Sequence, residues 1–79
     1  MEIRYFGIAH EITNKNSESI VIKLPLTVTQ LRKILSEAYP ELNKLRSYAI
    51  ACDEHYVEDS YIIDSDKTRV AVLPPVSGG

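Results

Sequence analysis

Apolar residues recur along this 79-residue chain with two spacings, and the longer one, of three or four residues, predicts one main helix. After Thr27, apolar side chains return every three or four positions while charged side chains fill the other side, as on an amphipathic helix. Thr27 and Gln30 have the spacing of a capping box, which places the first turn. We expect the helix to end near Tyr39, because Pro40 disfavours helical geometry in the residue before it. The apolar face comprises Val28, Leu31, Ile34, Leu35 and Ala38.

Shorter stretches rich in β-branched and aromatic residues predict the strands. Strands on both sides of a single helix predict an α+β fold with a mixed sheet of about four to five strands and the helix across one face, the β-grasp or ubiquitin-like arrangement. In the last strand, alternation should turn Val70 and Val72 inward and Ala71 and Leu73 outward. The predicted strands are 3–8, 18–24, 48–53, 56–57 and 69–73, with a helical turn at 9–13, a short helix at 41–46, a tight turn at 53–55 and an irregular segment at 61–66.

The end of the chain has a composition found nowhere else in it. Two of the three glycines are Gly78 and Gly79, and the third, Gly7, is expected to allow a close backbone approach. Pro74 and Pro75 fix φ and favour an extended path, whereas the two terminal glycines carry no side chain. The sequence therefore predicts a folded domain over 1–73 and an extended tail over 74–79, shaped for insertion into another protein. Between the prolines and the glycines, Val76 and Ser77 form a short hinge.

Size and charge exclude several classes of protein. The chain is long enough for one small domain, and its net charge of −2 gives no basic stripe for nucleic acid. No stretch has the length of a membrane-spanning helix, and the first residues lack a signal-peptide pattern. A single cysteine, Cys52, rules out an internal disulfide and fits a reducing cytoplasm. Six of the eleven acidic residues lie between Asp53 and Asp66, which favours either a basic partner or a merely solvated face.

Side chains suited to catalysis are sparse. His10 and His55 lie in predicted turns with no nucleophile arranged beside them, and Cys52 lies in an apolar strand typical of a core position. Asp59, Asp64 and Asp66 lack the glycine and distal glutamate of a calcium loop, so we predict no metal site. The terminal carboxylate is different, because activation as a mixed anhydride with AMP would let an amine or a sulfur nucleophile attack its carbonyl carbon.

The ending Pro74-Pro75-Val76-Ser77-Gly78-Gly79 resembles that of the small subunit of molybdopterin synthase, a family of ubiquitin-like sulfur carriers. The likeness extends over the whole chain. One departure is the turn at Asp66-Lys67-Thr68-Arg69, where the family usually has an Asp-Gly-Asp-Glu-like sequence. Supporting segments are Arg4-Tyr5-Phe6-Gly7, the capped helix at 27–35, and Ala51-Cys52-Asp53-Glu54 followed by Tyr56-Val57.

The resemblance implies a function. An ATP-dependent activating enzyme would adenylate the Gly79 carboxylate, and a sulfur donor would convert it to a thiocarboxylate. The tail would then enter the large subunit of molybdopterin synthase, in a heterotetramer of two small and two large subunits, and deliver sulfur to cyclic pyranopterin monophosphate. No stably bound cofactor is implied. Leu73 and Tyr56 match family positions that face partners, although Leu73 suits a core position almost equally well. Arg69 lies where an acidic partner group could pair with it, or where it is simply solvated.

Two alternatives remain open at this point. The first is another diglycine carrier of the same fold, either a thiamine-type sulfur carrier or a protein modifier, although the double proline favours molybdopterin. The second is a passive β-grasp binding module without covalent chemistry. Removal of Gly79 distinguishes them, because it should inactivate any carrier and leave a passive module untouched.

Overall fold

A computed structural model describes residues 1–45 and 48–74 and contains a five-stranded mixed sheet with one main helix. The strand order is β2-β1-β7-β4-β5, in which β1 and β7 are parallel and the other neighbours antiparallel. The predicted fold class is therefore confirmed. The elements are β1 (Glu2–Tyr5), α1 (Ile8–Thr13), β2 (Ser17–Ser19), β3 (Leu26–Thr27), α2 (Val28–Ala38), a 3₁₀ helix (Pro40–Lys44), β4 (Ala49–Cys52), β5 (His55–Tyr56), β6 (Ile62–Ile63) and β7 (Arg69–Leu73).

The core lies between α2 and the inward face of the sheet. Alternation places every second residue of β1 and β7 against the helix, and Val70 and Val72 are fully buried as predicted. Fewer residues of α2 are buried than its apolar pattern predicted, because Ile34 is 40% exposed and Ala38 is exposed. The largest fully buried side chains are Ile3, Leu31, Leu35, Leu42, Ile50, Ile63, Val28, Val70 and Val72. Within the described residues, no helix is long and apolar enough to cross a bilayer.

The start of α2 follows from its first four residues, as predicted. The Gln30 N–H donates to the Thr27 hydroxyl at 3.2 Å, and the Thr27 N–H donates to the Gln30 side-chain oxygen at 2.8 Å. Both donors would otherwise be unpaired at a helix N-terminus. The helix ends at Ala38, with Tyr39 as its cap before Pro40. This reciprocal cap fixes where the helix begins relative to the sheet.

Four predicted elements differ from the structure in extent or type. The strand predicted at 18–24 is only Ser17–Ser19, because β1 begins at Glu2 and offers no residue opposite Val21. The strand predicted at 3–8 ends at Tyr5, where Gly7 turns the chain into α1. The segment at 61–66 was predicted irregular, yet Ile62–Ile63 pairs with β3 in a second, two-stranded sheet. The short helix predicted at 41–46 is a 3₁₀ helix at Pro40–Lys44, and Arg46 lies outside the described residues.

The predicted turn at 53–55 is confirmed. Asp53 and Glu54 both adopt positive φ, 49° and 71°, and connect β4 to β5 as a two-residue hairpin turn. The divergent turn before β7 closes without glycine, since the Thr68 N–H donates to the Ser65 carbonyl at 3.1 Å and the Lys67 N–H to the Ser65 hydroxyl at 3.2 Å. The Asp53 carboxylate also accepts from the Arg69 N–H at 3.0 Å, which ties the two turns together.

One carboxylate joins the sheet edge to the end of α2. Glu18 accepts hydrogen bonds from the hydroxyls of Tyr5 and Tyr39 and pairs with the Lys15 ammonium at 2.9 Å. Burial favours the protonated acid, but the hydrogen bonds from Tyr5, Lys15 and Tyr39 outweigh it and lower the pKa of Glu18. Burial also raises the pKa of the Tyr5 hydroxyl, and its bond to Glu18 adds to this effect. The anion is therefore the form that the fold stabilises.

Replacing Glu18→Gln should flatten the acid side of the stability profile. Because folding lowers the pKa of Glu18, its stabilisation is present above the unfolded value of about 4.3 and is lost as the pH falls through the folded value. Urea unfolding at several pH values between neutrality and strong acid measures this dependence. Glu2→Gln, an exposed carboxylate in β1, is the matched control and should leave the profile unchanged. Identical profiles for Glu18→Gln and the wild type would contradict the assignment.

Candidate functional site

The predicted tail begins at the end of the central strand of the sheet. β7 lies between β1 and β4, pairs with both along its length, and ends at Leu73. A strand held on two sides gives the segment that follows it a fixed starting point. Pro74 is the last residue described, so the division into 1–73 and 74–79 stays a prediction. The predicted tail residues Pro75, Val76, Ser77, Gly78 and Gly79 lie outside the described residues.

The β1–β7 ladder stops at Pro74 for a chemical reason. Register pairs Tyr5 with Val72, and the ladder continues one bond further, from the Phe6 N–H to the Val72 carbonyl at 3.1 Å. The next bond would run from residue 74 to the Phe6 carbonyl, but proline has no N–H. The Phe6 carbonyl accepts instead from the Ala9 N–H at 3.1 Å, which begins α1. The tail therefore leaves the sheet at a defined residue.

Gly7 lies directly against Pro74, in agreement with the close backbone approach predicted for this glycine. It has φ 57° and ψ −131°, a combination that residues with a side chain rarely adopt. A Cβ atom at Gly7 would lie 2.9 Å from Cγ of Pro74 and 3.4 Å from its Cδ. Two segments 67 residues apart in sequence thus meet in backbone-to-ring contact. The root of the tail is packed as well as hydrogen-bonded.

The face of the sheet opposite α2 is open, and we call it the open face. Strand register aligns Arg4, Ala71, Ala51 and Tyr56 across it, with Leu73 opposite Ala49 nearer the tail. Small side chains thus form its centre and larger ones its border. It holds a depression of about 210 Å³, lined by Arg4, Phe6, Ala51, Glu54, Arg69, Val70 and Ala71.

The three predicted interface residues differ in exposure. Tyr56 is 69% exposed, and Arg69 is exposed with its Nε 3.9 Å from a carboxylate oxygen of Asp53. Leu73 is partly buried and less so than Val70 and Val72, in line with its predicted outward place in β7, and it pairs with Ala49. Phe6, 42% exposed and hydrogen-bonded to β7, was missed by the sequence analysis. Its place within the Arg4-to-Gly7 segment gave no local pattern that separates a buried aromatic residue from an exposed one.

The remaining candidate residues lie away from the tail root. Cys52 is buried, and burial, followed by the Asp53 charge, raises the pKa of its thiol, so it is a core residue as predicted. His10 is part of α1, with Nδ1 2.8 Å from the Lys15 carbonyl, and His55 is exposed in β5. Asp59 pairs with Arg32 at 2.8 Å, and Asp66 pairs with the Met1 ammonium at 2.8 Å.

A family comparison covers nearly the whole chain. The model described as "ThiS family" matches residues 3–79. The chain belongs to the ThiS family. The curated relatives match this chain over its full length and share one name. "Molybdopterin synthase sulfur carrier subunit" from Homo sapiens is 34% identical over 82 residues, covering 100% of this chain and 93% of the relative. The Caenorhabditis briggsae protein of that name is 30% identical over 81 residues, covering 100% and 96%.

Solved structures agree with this ThiS-family assignment. One chain in the "protein-protein complex of subunit 1 and 2 of molybdopterin-converting factor" from Helicobacter pylori is 31% identical, with a TM-score of 0.64, covering 99% of this chain and 96% of that one. A putative molybdopterin converting factor subunit 1 from Pyrococcus furiosus has a TM-score of 0.84 at 19% identity, covering 95% of both chains. The second likeness shows the shared fold. Together with the relatives, these findings confirm the predicted resemblance.

Proposed function

We propose that this chain is the sulfur carrier subunit of molybdopterin synthase. Its similarity to curated relatives of that name, over the full length of this chain, carries the proposal. The geometry supports it, because the predicted tail continues from a strand paired on both sides and begins beside an open, partly apolar face. The chemistry we propose belongs to the terminal carboxylate of Gly79.

Activation is the first step. An oxygen of the Gly79 carboxylate attacks the α-phosphorus of ATP in a separate adenylating enzyme, and pyrophosphate leaves. The product is an acyl adenylate, a mixed anhydride whose carbonyl carbon is open to attack. Hydrosulfide then forms a bond to that carbon, AMP leaves and the sulfur loses its proton, which yields a thiocarboxylate. ATP is thus a substrate of the partner enzyme and not a cofactor of this chain.

Transfer is the second step. The thiocarboxylate sulfur forms a bond to a carbon of cyclic pyranopterin monophosphate within the large subunit, and the oxygen substituent at that carbon leaves. Water then cleaves the acyl–sulfur bond. Sulfur stays on the pterin and the Gly79 carboxylate is regenerated for another cycle. A dithiolene holds two sulfur atoms and each carrier brings one, so each product molecule consumes two charged carriers. Glycine residues at the end of the tail suit this task, because a backbone without side chains can pass through a very narrow channel.

Docking to the large subunit positions the tail, and we assign this docking to the open face. The large subunit would cover the alanine-lined depression, with Tyr56 and Phe6 as exposed aromatic anchors and Arg69 at the border. The Helicobacter pylori relative has been solved as a complex of subunits 1 and 2, which supports a large-subunit partner. The single cysteine, buried and unpaired, fits our expectation of a cytoplasmic location.

Tyr56→Ala should weaken docking to the large subunit by about 1 to 2 kcal/mol, or roughly ten-fold in Kd. The side chain is 69% exposed and stands at the border of the open face, so its loss removes contact area without opening the core. Calorimetry with the purified large subunit measures the change. Ile62→Ala is the matched control, because Ile62 is 59% exposed but belongs to the second sheet. Equal losses from the two variants would contradict docking at the open face.

A mass measurement tests the proposed function. The chain is incubated with its adenylating enzyme, ATP and sulfide, and its intact mass should rise by the difference between one sulfur and one oxygen atom. Fragmentation should place that gain at Gly79. The charged carrier is then mixed with the large subunit and cyclic pyranopterin monophosphate, and the pterin should acquire both sulfurs. Charging without transfer to the pterin would favour the thiamine-type carrier or the protein modifier. No charging by an active adenylating enzyme would favour the passive module.

A further inference from the structure

The segment that faces the tail root is itself held in place by hydrogen bonds. The Phe6 N–H donates to β7, and the Phe6 carbonyl accepts from the Ala9 N–H. The Gly7 carbonyl accepts from the Glu11 N–H at 3.3 Å, and Ala9 is fully buried. Gly7 is therefore fixed between the last bond of the β1–β7 ladder and the first turn of α1. Because the backbone of Gly7 is held on both sides, a steric clash at Gly7 would be relieved by movement of the neighbouring residue.

Pro74 is a rigid neighbour. Its ring closes onto its own backbone nitrogen, so Cγ cannot rotate away as the end of a long side chain can. A Cβ atom at Gly7 would approach that Cγ to 2.9 Å, well inside ordinary contact distance. A change of ring pucker moves Cγ but leaves Cδ, 3.4 Å from the same Cβ position, almost in place, so full relief of the contact also needs a shift of the Pro74 backbone. Any side chain at Gly7 would therefore redirect the first residue of the tail.

We propose that Gly7 is a positioning residue that sets the direction in which the tail leaves the sheet. Its missing side chain lets the Pro74 ring pack against the β1–α1 junction, and the orientation of Pro74 is the direction in which the predicted tail starts. The inference rests on the proposed function, because direction matters only when the tail end must reach a reacting group in a partner. A misplacement of about 1 Å can cost up to about a hundred-fold in rate.

A double-mutant cycle tests the contact in the charged carrier. The four chains are the wild type, Gly7→Ala, Pro74→Ala and the double variant, each loaded with sulfur and assayed with the large subunit. Gly7→Ala should lower kcat roughly ten- to a hundred-fold while KM changes less than about three-fold, because the open face is untouched. With alanine at position 74 the ring carbons are gone, so the same substitution should lower kcat less than about three-fold.

Thermal unfolding separates positioning from simple destabilisation. Gly7→Ala also forces a side chain into φ 57° and ψ −131°, and that strain is present with either residue at position 74. Tm should therefore fall by similar amounts in both backgrounds, whereas kcat should fall steeply only beside Pro74. Ile63→Val, a buried change in the second sheet, is the control and should lower Tm with kcat retained. Equal kcat losses in both backgrounds would overturn the role of Gly7.

A measurement on the wild type remains decisive if Gly7→Ala does not fold. Nuclear Overhauser contacts should join the Gly7 α-protons to the Pro74 ring protons, and their absence would overturn the inference. Failure of the proposed function looks different, since the wild type itself would then transfer no sulfur to the pterin. A wild type that transfers sulfur but shows no Gly7–Pro74 contact refutes the Gly7 inference alone.

Discussion

Deletion of Gly79 should abolish sulfur loading and pterin conversion while the domain stays folded. The reacting carboxylate then belongs to Gly78 and lies one residue, about 3.5 Å, short of its place in either partner site. An offset of that size removes the acyl carbon from attack distance, so activity should fall below detection. The intact-mass assay and the pterin assay measure the two steps separately. Circular dichroism should be unchanged, because the core residues and strands that the structure describes all precede Pro74.

Ser77→Ala is the control for the deletion, because it keeps the length of the tail and alters only a hydroxyl. It should load and transfer sulfur at a rate close to that of the wild type. Calorimetry with the large subunit adds a second control, since the deleted chain keeps the whole open face and should bind with only a modest loss. A deleted chain that still converts the pterin would refute the carrier chemistry altogether.

Leu31→Ala should destabilise the domain by about 3 kcal/mol, the usual cost of emptying a buried leucine site. Leu31 is completely buried in the centre of α2 and faces the sheet. A domain of this size has a total stability of only about 4 to 12 kcal/mol, so the loss is a large fraction of it. Tm should fall by roughly 15 °C. Differential scanning calorimetry and urea titration both measure the change.

Val21→Ala provides the comparison for Leu31→Ala. Its side chain is entirely exposed, so its truncation should change stability by less than about 0.5 kcal/mol. The pair contains the same kind of change, an aliphatic side chain cut back to alanine, at the two extremes of burial. If both variants lost stability equally, the placement of the core between α2 and the sheet would be wrong.

Local chemistry explains which elements the sequence predicted well. The start of α2 is encoded within four residues by Thr27 and Gln30, and its end by Pro40. The alternation in β7 is encoded within five residues, so Val70 and Val72 were assigned to the core correctly. These patterns need no knowledge of the rest of the chain. The fold class followed from the order of such elements.

Tertiary pairing explains what the sequence analysis missed. Ile20 to Leu24 has the composition of a strand, but β1 begins at Glu2, opposite Ser19, and offers this segment no partner, so composition alone overestimated β2. β6 has only two residues, which is too short for any alternation, and it exists because Leu26–Thr27 lies beside it. The exposure of Phe6 likewise depends on how neighbouring segments pack and not on its own sequence. For the candidate site, the sequence pointed to a close approach at Gly7 but not to Pro74 as its neighbour.

The parallel pairing of β1 with β7 has a kinetic consequence. Residue partners such as Ile3 and Val70 are far apart in sequence, so the centre of the sheet forms only after a long loop has closed. Domains dominated by such distant contacts fold slowly, typically in milliseconds or longer. Insertion of β7 also creates the root from which the tail departs. A partner that contacts both the sheet and the tail therefore selects chains that have completed folding, and rejects unfinished ones without a separate check.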